Sequence, residues 1–347
     1  MTPSLTSPAQ NKTYEGKAKI LSAGTQANTL IVQFKDEATA FNGGKFAIMP
    51  GKGVLNATIS KLLFSYLNQH HIHTCYQGEG PDDNELIYES LKMIPLEVVV
   101  RNVSYGSVSS RYQLTDGTPF KQPVIEYFWK KDEANDPLIT RDMIRELNLL
   151  PAQTTLCQIE QAALAINTLL IQRFNPTGIV CADFKLEFGI NTSGQLVLGD
   201  ELSPDNFRLR DKQTGQILDK DVFRLEKGDL IETYTDVLNR LKNNPVEAAN
   251  STTVYTSTVQ VTSRKNILNP ESKAITQAVQ RNGYTQVSTV NASKQYTLHL
   301  EANSLSEAQT ITHELGSKVL SNPVIEDMTI TNVTLTSTTE SPNNVHS

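Results

Sequence analysis

The stretch Asp183-Phe184-Lys185-Leu186-Glu187-Phe188 carries the sharpest chemical signal in the chain. Side chains alternate across a strand, so Asp183, Lys185 and Glu187 share one face and Phe184, Leu186 and Phe188 the other. Two carboxylates flanking an ammonium can hold a magnesium ion together with a phosphate oxygen, while the lysine offsets the added negative charge. An ordinary half-solvated strand alternates in the same way, so this segment alone does not separate the two readings. The next segment, LVLGDELSPDNFRLRD, places Asp200 and Glu201 just beyond a glycine at a strand end, followed by Asp205, Arg208 and Arg210. A hairpin pairing of the two segments would bring Asp200 close to Glu187. Acids gathered beside arginines suit a metal-bound polyphosphate next to an anionic substrate. An exposed turn with ordinary surface ion pairs is the alternative.

Weaker signals lie upstream. Gly16-Lys17-Ala18-Lys19 opens a hairpin in which alternate lysines would point toward phosphates, although the GxxxxGK[ST] spacing is missing. Lysine-rich strand edges also serve to block aggregation. Gly43-Gly44 and Gly51-Lys52-Gly53 bracket an irregular segment before a helix whose N-terminus could bind an anion, or the glycines simply make turns. Arg101 ends the apolar run Val98 to Val100 and is followed by Asn102 and Tyr105-Gly106-Ser107. A guanidinium there can clamp a phosphate or carboxylate through two hydrogen bonds, or serve structure alone. His70, His71 and His73 read as surface residues rather than a metal cluster, and His299 and His313 lack partners at ligand spacing. There is no GxSxG elbow, and the cysteines have no histidine neighbours, so nucleophilic catalysis has little support.

The elements that must position these residues follow from spacing. KAKILSA and TLIVQF read as strands with TQAN as the turn between them. Leu55, Ile59, Leu62, Leu63 and Leu67 recur near helical spacing between Val54 and Asn68. Leu156, Ile159, Ala163, Ile166 and Leu170 line one face of a long helix expected to begin after Pro151. IPLEVVVRN, PVIEYFWK, GIVCADFKLEFGI and QLVLGDEL are strand candidates, each bounded by Gly, Pro or Asn.

At 347 residues the chain is long enough for two domains of about 150 residues. Its 38% hydrophobic and 20% charged residues allow a sizeable core. With 31 basic against 37 acidic residues the net charge is −6, so non-specific binding to nucleic acid or to an anionic membrane is not expected. No apolar run approaches the roughly 20 residues of a membrane span, and MTPSLTSPAQNKT lacks the apolar core of a secretory signal. Cys75, Cys157 and Cys181 form no CxxC pair, which speaks against a disulfide scaffold or a thiolate zinc site. A soluble, cytoplasmic protein is the expectation.

The expected boundaries are a first module at 14–242, a linker at 243–253 within KNNPVEAANSTT, a second module at 254–335 and a disordered tail at 336–347. In the second module Tyr255, Val259 and Val261 share a strand face. Ala274, Ile275, Ala278 and Val279 make a helical stripe ending at Asn282-Gly283. TQVSTVNA and KQYTLHLEA read as strands. A second stripe, Leu305, Ala308, Ile311, Leu315 and Val319, follows Ser304 as its cap, and VIEDMTI closes the module. The order βαββαβ is the ferredoxin-like arrangement, small enough for oligomerisation to help it.

Taken in order, YEGKAK, FKDEATAFNGG, PGKGVLN, VVVRNVSYGS, ADFKLEFG and GDELSPDNFRL resemble the phosphoribosylaminoimidazole-succinocarboxamide synthase (SAICAR synthetase) family. The resemblance covers residues 14–242. It implies an α+β fold with two lobes, the site in the cleft, and an ATP- and Mg²⁺-dependent ligation of L-aspartate to carboxyaminoimidazole ribonucleotide (CAIR), giving SAICAR, ADP and phosphate. Carried over residue by residue, it implies that Lys17, Ala18 and Lys19 cradle the ATP phosphates and that Met93 and Glu97 hold adenine. Glu187 and Asp200 would face the metal and nucleotide. Arg101, Ser107, Arg208 and Arg224 would grip the phosphate and ribose of CAIR. Asp183 and Lys185 would sit at the reacting carboxylate, with Lys130 and Asp136 nearby. The chain departs from the usual pattern at Ser104, Tyr105 and Arg210, which bears on substrate fit rather than on the reaction.

VQVTSRKNILNPESKAITQAVQRNGY and SNPVIEDMTI are similar to PurS, the small subunit of phosphoribosylformylglycinamidine (FGAM) synthase. That resemblance implies a homo-oligomer that bridges the FGAM synthase large subunit and its glutaminase subunit. An ACT-like ligand-sensing domain shares the βαββαβ order, but SRKNILNPES lacks the glycine usual in its first loop. A kinase-like phosphotransferase is the other alternative for the first module.

Overall fold

The structure, a computed structural model, describes residues 14–40, 44–152, 154–244, 253–264, 267–302 and 305–338. Gly43, Ser304, most of the expected linker and the end of the expected tail lie outside the described residues. The chain forms two compact units, residues 1–246 and 247–347. Among the described residues no helix is long and apolar enough to cross a membrane.

The first unit opens with strands β1 (Tyr14–Glu15), β2 (Lys19–Ala23) and β3 (Thr29–Phe34). β4 (Glu37–Ala40) pairs with β5 (Lys45–Ile48), and helix α1 (Lys52–Gln69) follows. β6 (Tyr76–Glu79) and β7 (Glu85–Glu89) complete an antiparallel sheet of order β1-β2-β3-β7-β6. Ser90 and Leu91 then connect this sheet to a second one, which starts with β8 (Lys92–Val103). Helix α2 (Ser107–Tyr112), β9 (Pro119–Trp129), β10 (Leu138–Ile139), α3 (Arg141–Glu146) and α4 (Leu156–Phe174) come next. β11 (Ile179–Ile190), β12 (Leu196–Gly199) and β13 (Phe207–Asp211) finish the second sheet. Its order is β10-β9-β8-β11-β12, with β13 also pairing β11. Two helices, α5 (Asp221–Arg224) and α6 (Leu230–Asn243), end the unit.

Helix α4 begins later than the Pro151 signal suggested. Thr155 is its cap: the Thr155 hydroxyl accepts from Gln158 N while the Gln158 side chain accepts from Thr155 N, a reciprocal capping box. The expected stripe is otherwise correct, with Ile159, Ala163, Ile166 and Leu170 all buried against β11 and β8. Phe184, Leu186 and Phe188 of β11 join the same core, each such burial contributing about 1.5–3 kcal/mol. The polar face of β11 is covered too. Asp183 and Glu187 are each only 4% exposed, so the half-solvated strand is ruled out and each buried charge requires a partner.

The second unit is built on β14 (Thr253–Ser263), flanked by β15 (Ser293–Ala302) and β16 (Glu326–Thr338) in the order β15-β14-β16. Tyr255, Val259 and Val261 are buried on one face of β14. Helix α7 (Pro270–Arg281) is capped by the Asn269 side chain and ends at Asn282. Helix α8 (Leu305–Leu315) buries Ala308 and Thr312 and passes into a π-helical turn over Gly316–Leu320. Leu315, at the end of α8, and Val319, within the turn, leave the expected stripe and are both exposed. TQVSTVNA forms no strand: serine and threonine side chains of α7 hold its backbone, Val290 N donating to Thr276 Oγ1 and Ala292 N to Ser272 Oγ, each at 2.9 Å. β16 continues to Thr338, into the stretch read as tail.

Candidate active site

Pairing in register assembles the site. Across the sheet Asp183 lies opposite Arg101 of β8 and Arg208 of β13, Glu187 lies opposite Glu97 of β8, and Glu187 lies opposite Gly199 of β12. Asp200 follows Gly199 directly, so the hairpin expected from the sequence is present. A cleft of about 370 Å³ opens over this face, lined among others by Glu97, Arg101, Asp183, Lys185, Arg208 and Arg224.

One end of the face is an alternating series of arginines and carboxylates. Arg111 and Arg101 both donate to Glu126, Arg101 Nε at 2.6 Å. Arg101 Nη1 reaches Asp183 at 2.9 Å, and Arg208 Nη1 reaches both Asp183 oxygens at 3.1 and 3.0 Å. Arg208 Nε then donates to Asp221 at 3.2 Å, as does Arg224 Nη1 at 2.7 Å. Ser107 Oγ accepts from Arg101 Nη2 at 3.2 Å. The glycine before Ser107 is required twice over: Gly106 has φ +65°, and a β-carbon there would lie 2.7 Å from Arg208 Nη2. These guanidiniums form an arginine wall held in place by carboxylates of the chain itself.

Lysines and acids alternate at the other end. Lys185 Nζ lies 2.8 Å from Glu187, 3.1 Å from Glu97 and 3.3 Å from Asp200. Lys130 donates to Glu187 at 2.6 Å. Lys19 contacts Asp200 and lies 2.7 Å from Glu201 Oε2, without the alignment of a hydrogen bond. Burial by itself would lower the lysines, yet the surrounding carboxylates hold Lys19 and Lys185 above the ordinary ammonium range. Burial likewise opposes ionisation of Asp200, but Lys19 and Lys185 keep it well below the usual carboxylate range. Glu201 moves the other way, raised by burial and by Asp200 and Asp205. Asp200 is thus the firm negative charge of the pair, held in the left-handed conformation at φ +60°.

Other sequence candidates fall in different places. Lys17 is exposed in the turn between β1 and β2, so only Lys19 of the GKAK segment points inward. Met93 is 42% exposed on β8. Its thioether lies over Gly189 and Gly199, where a β-carbon would come within 3.1 Å of it. Asp136 accepts from Lys131 N at 2.8 Å and closes its own turn. The N-terminus of α1 is already filled, because Gly51 N and Gly53 N donate to Asp36 at 3.2 and 2.8 Å. Lys52 instead is fully buried and pairs with Asp205 at 2.7 Å, and Asp205 also accepts from Tyr234 at 2.5 Å.

The sequence alone does not single out Glu126 or Asp221, nor Lys220, which lines the cleft 3.5 Å from Asp205. The acidic residue inside PVIEYFWK, and the three-residue spacing of Asp221 to Arg224, were the available signals. Among the described residues no three acidic, histidine or cysteine side chains converge on a metal position. Glu187 and Asp200 still offer the hard oxygens that magnesium takes, to be completed by phosphate and water.

Comparison with known proteins bears on the whole arrangement. The SAICAR synthetase family profile matches residues 12–241, and the PurS profile, described as phosphoribosylformylglycinamidine (FGAM) synthase, matches residues 256–334. The chain is 46% identical over 228 residues to a phosphoribosylaminoimidazole-succinocarboxamide synthase of Thermococcus sibiricus, covering 66% of this chain and 96% of that one. Among solved structures it is similar to a SAICAR synthetase in complex with ADP, at 43% identity and TM-score 0.64, covering 68% of this chain and all of the other. The SAICAR synthetase of Pyrococcus horikoshii is similar at 42% identity and TM-score 0.62, covering 66% of this chain and all of that one.

Proposed function

The chain belongs to the SAICAR synthetase family through residues 12–241 and carries a PurS module at residues 256–334, and from that premise we propose that the β11 face joins L-aspartate to CAIR. It is an ATP-dependent ligase of purine biosynthesis. The observation that carries the residue-level reading is the position of Lys185 between the arginine wall and the Lys19–Asp200 cluster.

On this reading Arg101, Ser107, Arg208 and Arg224 take the phosphate and ribose of CAIR. Lys17, Ala18 and Lys19 take the phosphates of ATP, with Glu187 and Asp200 beside them, Met93 and Glu97 along adenine, and Lys130 and Asp136 at the cleft edge. A carboxylate is a poor acyl donor, so ATP transfers its terminal phosphoryl group to the CAIR carboxylate. The amine of aspartate attacks that acyl phosphate, the C–N bond forms and phosphate leaves. Lys185 offsets negative charge at the acyl centre. Attack needs a neutral amine, hence a proton acceptor. Asp183 can serve only by releasing a guanidinium, since both of its oxygens already accept from arginine. In the arrangement described it holds Arg101 and Arg208 for the substrate.

Magnesium is the metal these hard oxygens suit, once they release the lysines Lys130, Lys185 and Lys19 that now occupy them. Glu187 and Asp200 would hold it, and when bound it supplies charge neutralisation to the nucleotide phosphates. ADP release measured with Mg-ATP and CAIR, with and without L-aspartate, tests the reading. Aspartate-dependent release with SAICAR detected by mass is expected. Aspartate-independent release that leaves a stable phosphorylated product would sink the ligase assignment of these residues in favour of a phosphotransferase, whereas release of ADP with free phosphate alone would mark an uncoupled acyl phosphate.

The PurS module is read as the assembly part, docking with the FGAM synthase large subunit and its glutaminase subunit and joining copies of itself. Support comes from surfaces without cover: no side chain of α7 is buried, and Leu268, Tyr284, Val319 and Val324 are 72%, 57%, 70% and 74% exposed. Sedimentation of the full chain is expected to show a particle larger than a monomer, and co-purification with both subunits is expected. A monomer whose ligase is inhibited by free amino acids would favour the ACT-like alternative. A cytoplasmic place accords with three cysteines that are all free.

A further inference from the structure

We propose that Arg210 and Tyr105 form a positioning pair that fixes Asp221, and through it Arg208 and Arg224, for the phosphate-bearing end of the ribonucleotide. The proposal rests on the assignment of Arg208 and Arg224 to that substrate. Arg210 is 8% exposed on β13 and lines no part of the cleft. Its guanidinium lies 4.7 Å from the centre of the Tyr105 ring, a cation–π contact. Arg210 Nη1 donates to Asp219 at 2.5 Å and to the Leu209 carbonyl at 2.8 Å, and Nη2 lies 3.7 Å from Asp221.

Asp219 passes the constraint on. Its second oxygen accepts from Asp221 N at 2.7 Å, which fixes the first residue of α5. The Asp221 carboxylate is then shared between Arg208 at 3.2 Å and Arg224 at 2.7 Å. Tyr105 adds the segment that leads into α2. It precedes Gly106, which packs on the Arg208 guanidinium, and Ser107, which bonds Arg101. The stacked pair therefore ties the turn that carries Ser107 to the segment that carries Asp221 and Arg224. Neither residue needs to touch the substrate. A tilt of either segment would misplace one half of a binding site that requires both halves at once.

The test measures KM for CAIR and for ATP separately, with kcat, in the full chain. Arg210→Met is expected to raise KM for CAIR by about tenfold and to leave KM for ATP within about twofold. Tyr105→Leu is expected to raise KM for CAIR by about threefold, while Tyr105→Phe, which keeps the ring, stays near the parent. The double variant Arg210→Met/Tyr105→Leu should lose less than the product of the two single losses, because both break one contact. Arg208→Ala is the control for the underlying assignment. If Arg208→Ala raises KM for CAIR while Arg210→Met and Tyr105→Leu do not, the pair has no positioning role. Equal rises in both KM values, or losses that multiply, would overturn the proposal as well. A normal KM for CAIR in Arg208→Ala would remove the assignment and the proposal together.

Discussion

Lys185→Ala is expected to lower kcat for aspartate-dependent ADP release by about a hundredfold to a thousandfold, the scale seen when one preorganised charge at a reacting centre is removed. The ammonium has Glu187, Glu97 and Asp200 within 3.3 Å, so its loss leaves three carboxylates facing the nucleotide without their shared counter-charge. KM for CAIR should change far less, since the arginine wall is untouched. Steady-state kinetics with Lys185→Arg alongside makes the comparison. A kcat within threefold of the parent would mean that Lys185 only organises the acids.

Lys52→Met should produce the largest loss of stability. The Lys52 side chain is 0% exposed and its partner Asp205 is 3% exposed. Removing one member of a buried pair strands the other, which costs about 3–5 kcal/mol. At about 2–4 °C per kcal/mol for a domain of this size, Tm falls by roughly 10 °C. Lys52→Met/Asp205→Asn should recover part of that loss, because the amide oxygen still accepts from Tyr234 and the nearly inaccessible carboxylate is gone, with only the Lys220 ammonium left to be accommodated. The sign with pH is fixed as well. Burial works against the Asp205 carboxylate, but Lys52 and Lys220 hold it below its ordinary range. A depressed carboxylate contributes stability above its unfolded pKa of about 3.9, and that contribution is lost as pH falls toward the folded value. The Tm gap between parent and variant should therefore close below about pH 4. An undiminished Tm at neutral pH would mean that Lys220, 3.5 Å from Asp205, carries the charge alone.

The part of the site that was legible in the sequence is the part that strand alternation controls. Asp183, Lys185 and Glu187 share a face because of a two-residue period, and Asp200 joins them because a hairpin follows. Alternation does not reveal what covers that face, so the burial of Asp183 and Glu187 was invisible until β8 and β13 were in place. The helix start at Gly53 was legible as an anion site, but not its occupant, because Asp36 comes from another element. A family motif carries Lys17 and Asp136 to a neighbourhood without fixing their rotamers or turns, so the exposure of the first and the turn closed by the second were not legible in it. In the second unit TQVSTVNA has strand composition. Its backbone is nevertheless claimed by Ser272 and Thr276, a competition between side chains and a sheet ladder that pattern reading does not weigh.

The run from Arg111 through Glu126, Arg101, Asp183, Arg208 and Asp221 to Arg224 has a consequence for ionic strength. Its inner members are largely shielded from water: the Arg101, Asp183 and Glu126 side chains are 3%, 6% and 7% exposed. Dissolved ions weaken interactions between charges that they can surround, over a Debye length of about 8 Å at physiological salt. They reach this series mainly at its two ends, where the Arg111 and Arg224 side chains are 29% and 32% exposed. The cleft wall behaves as a fragment of ionic lattice whose order is supplied by the chain itself. Added salt would slow the approach of an anionic substrate through bulk water but would leave the shape of the charge field that receives it almost unaltered.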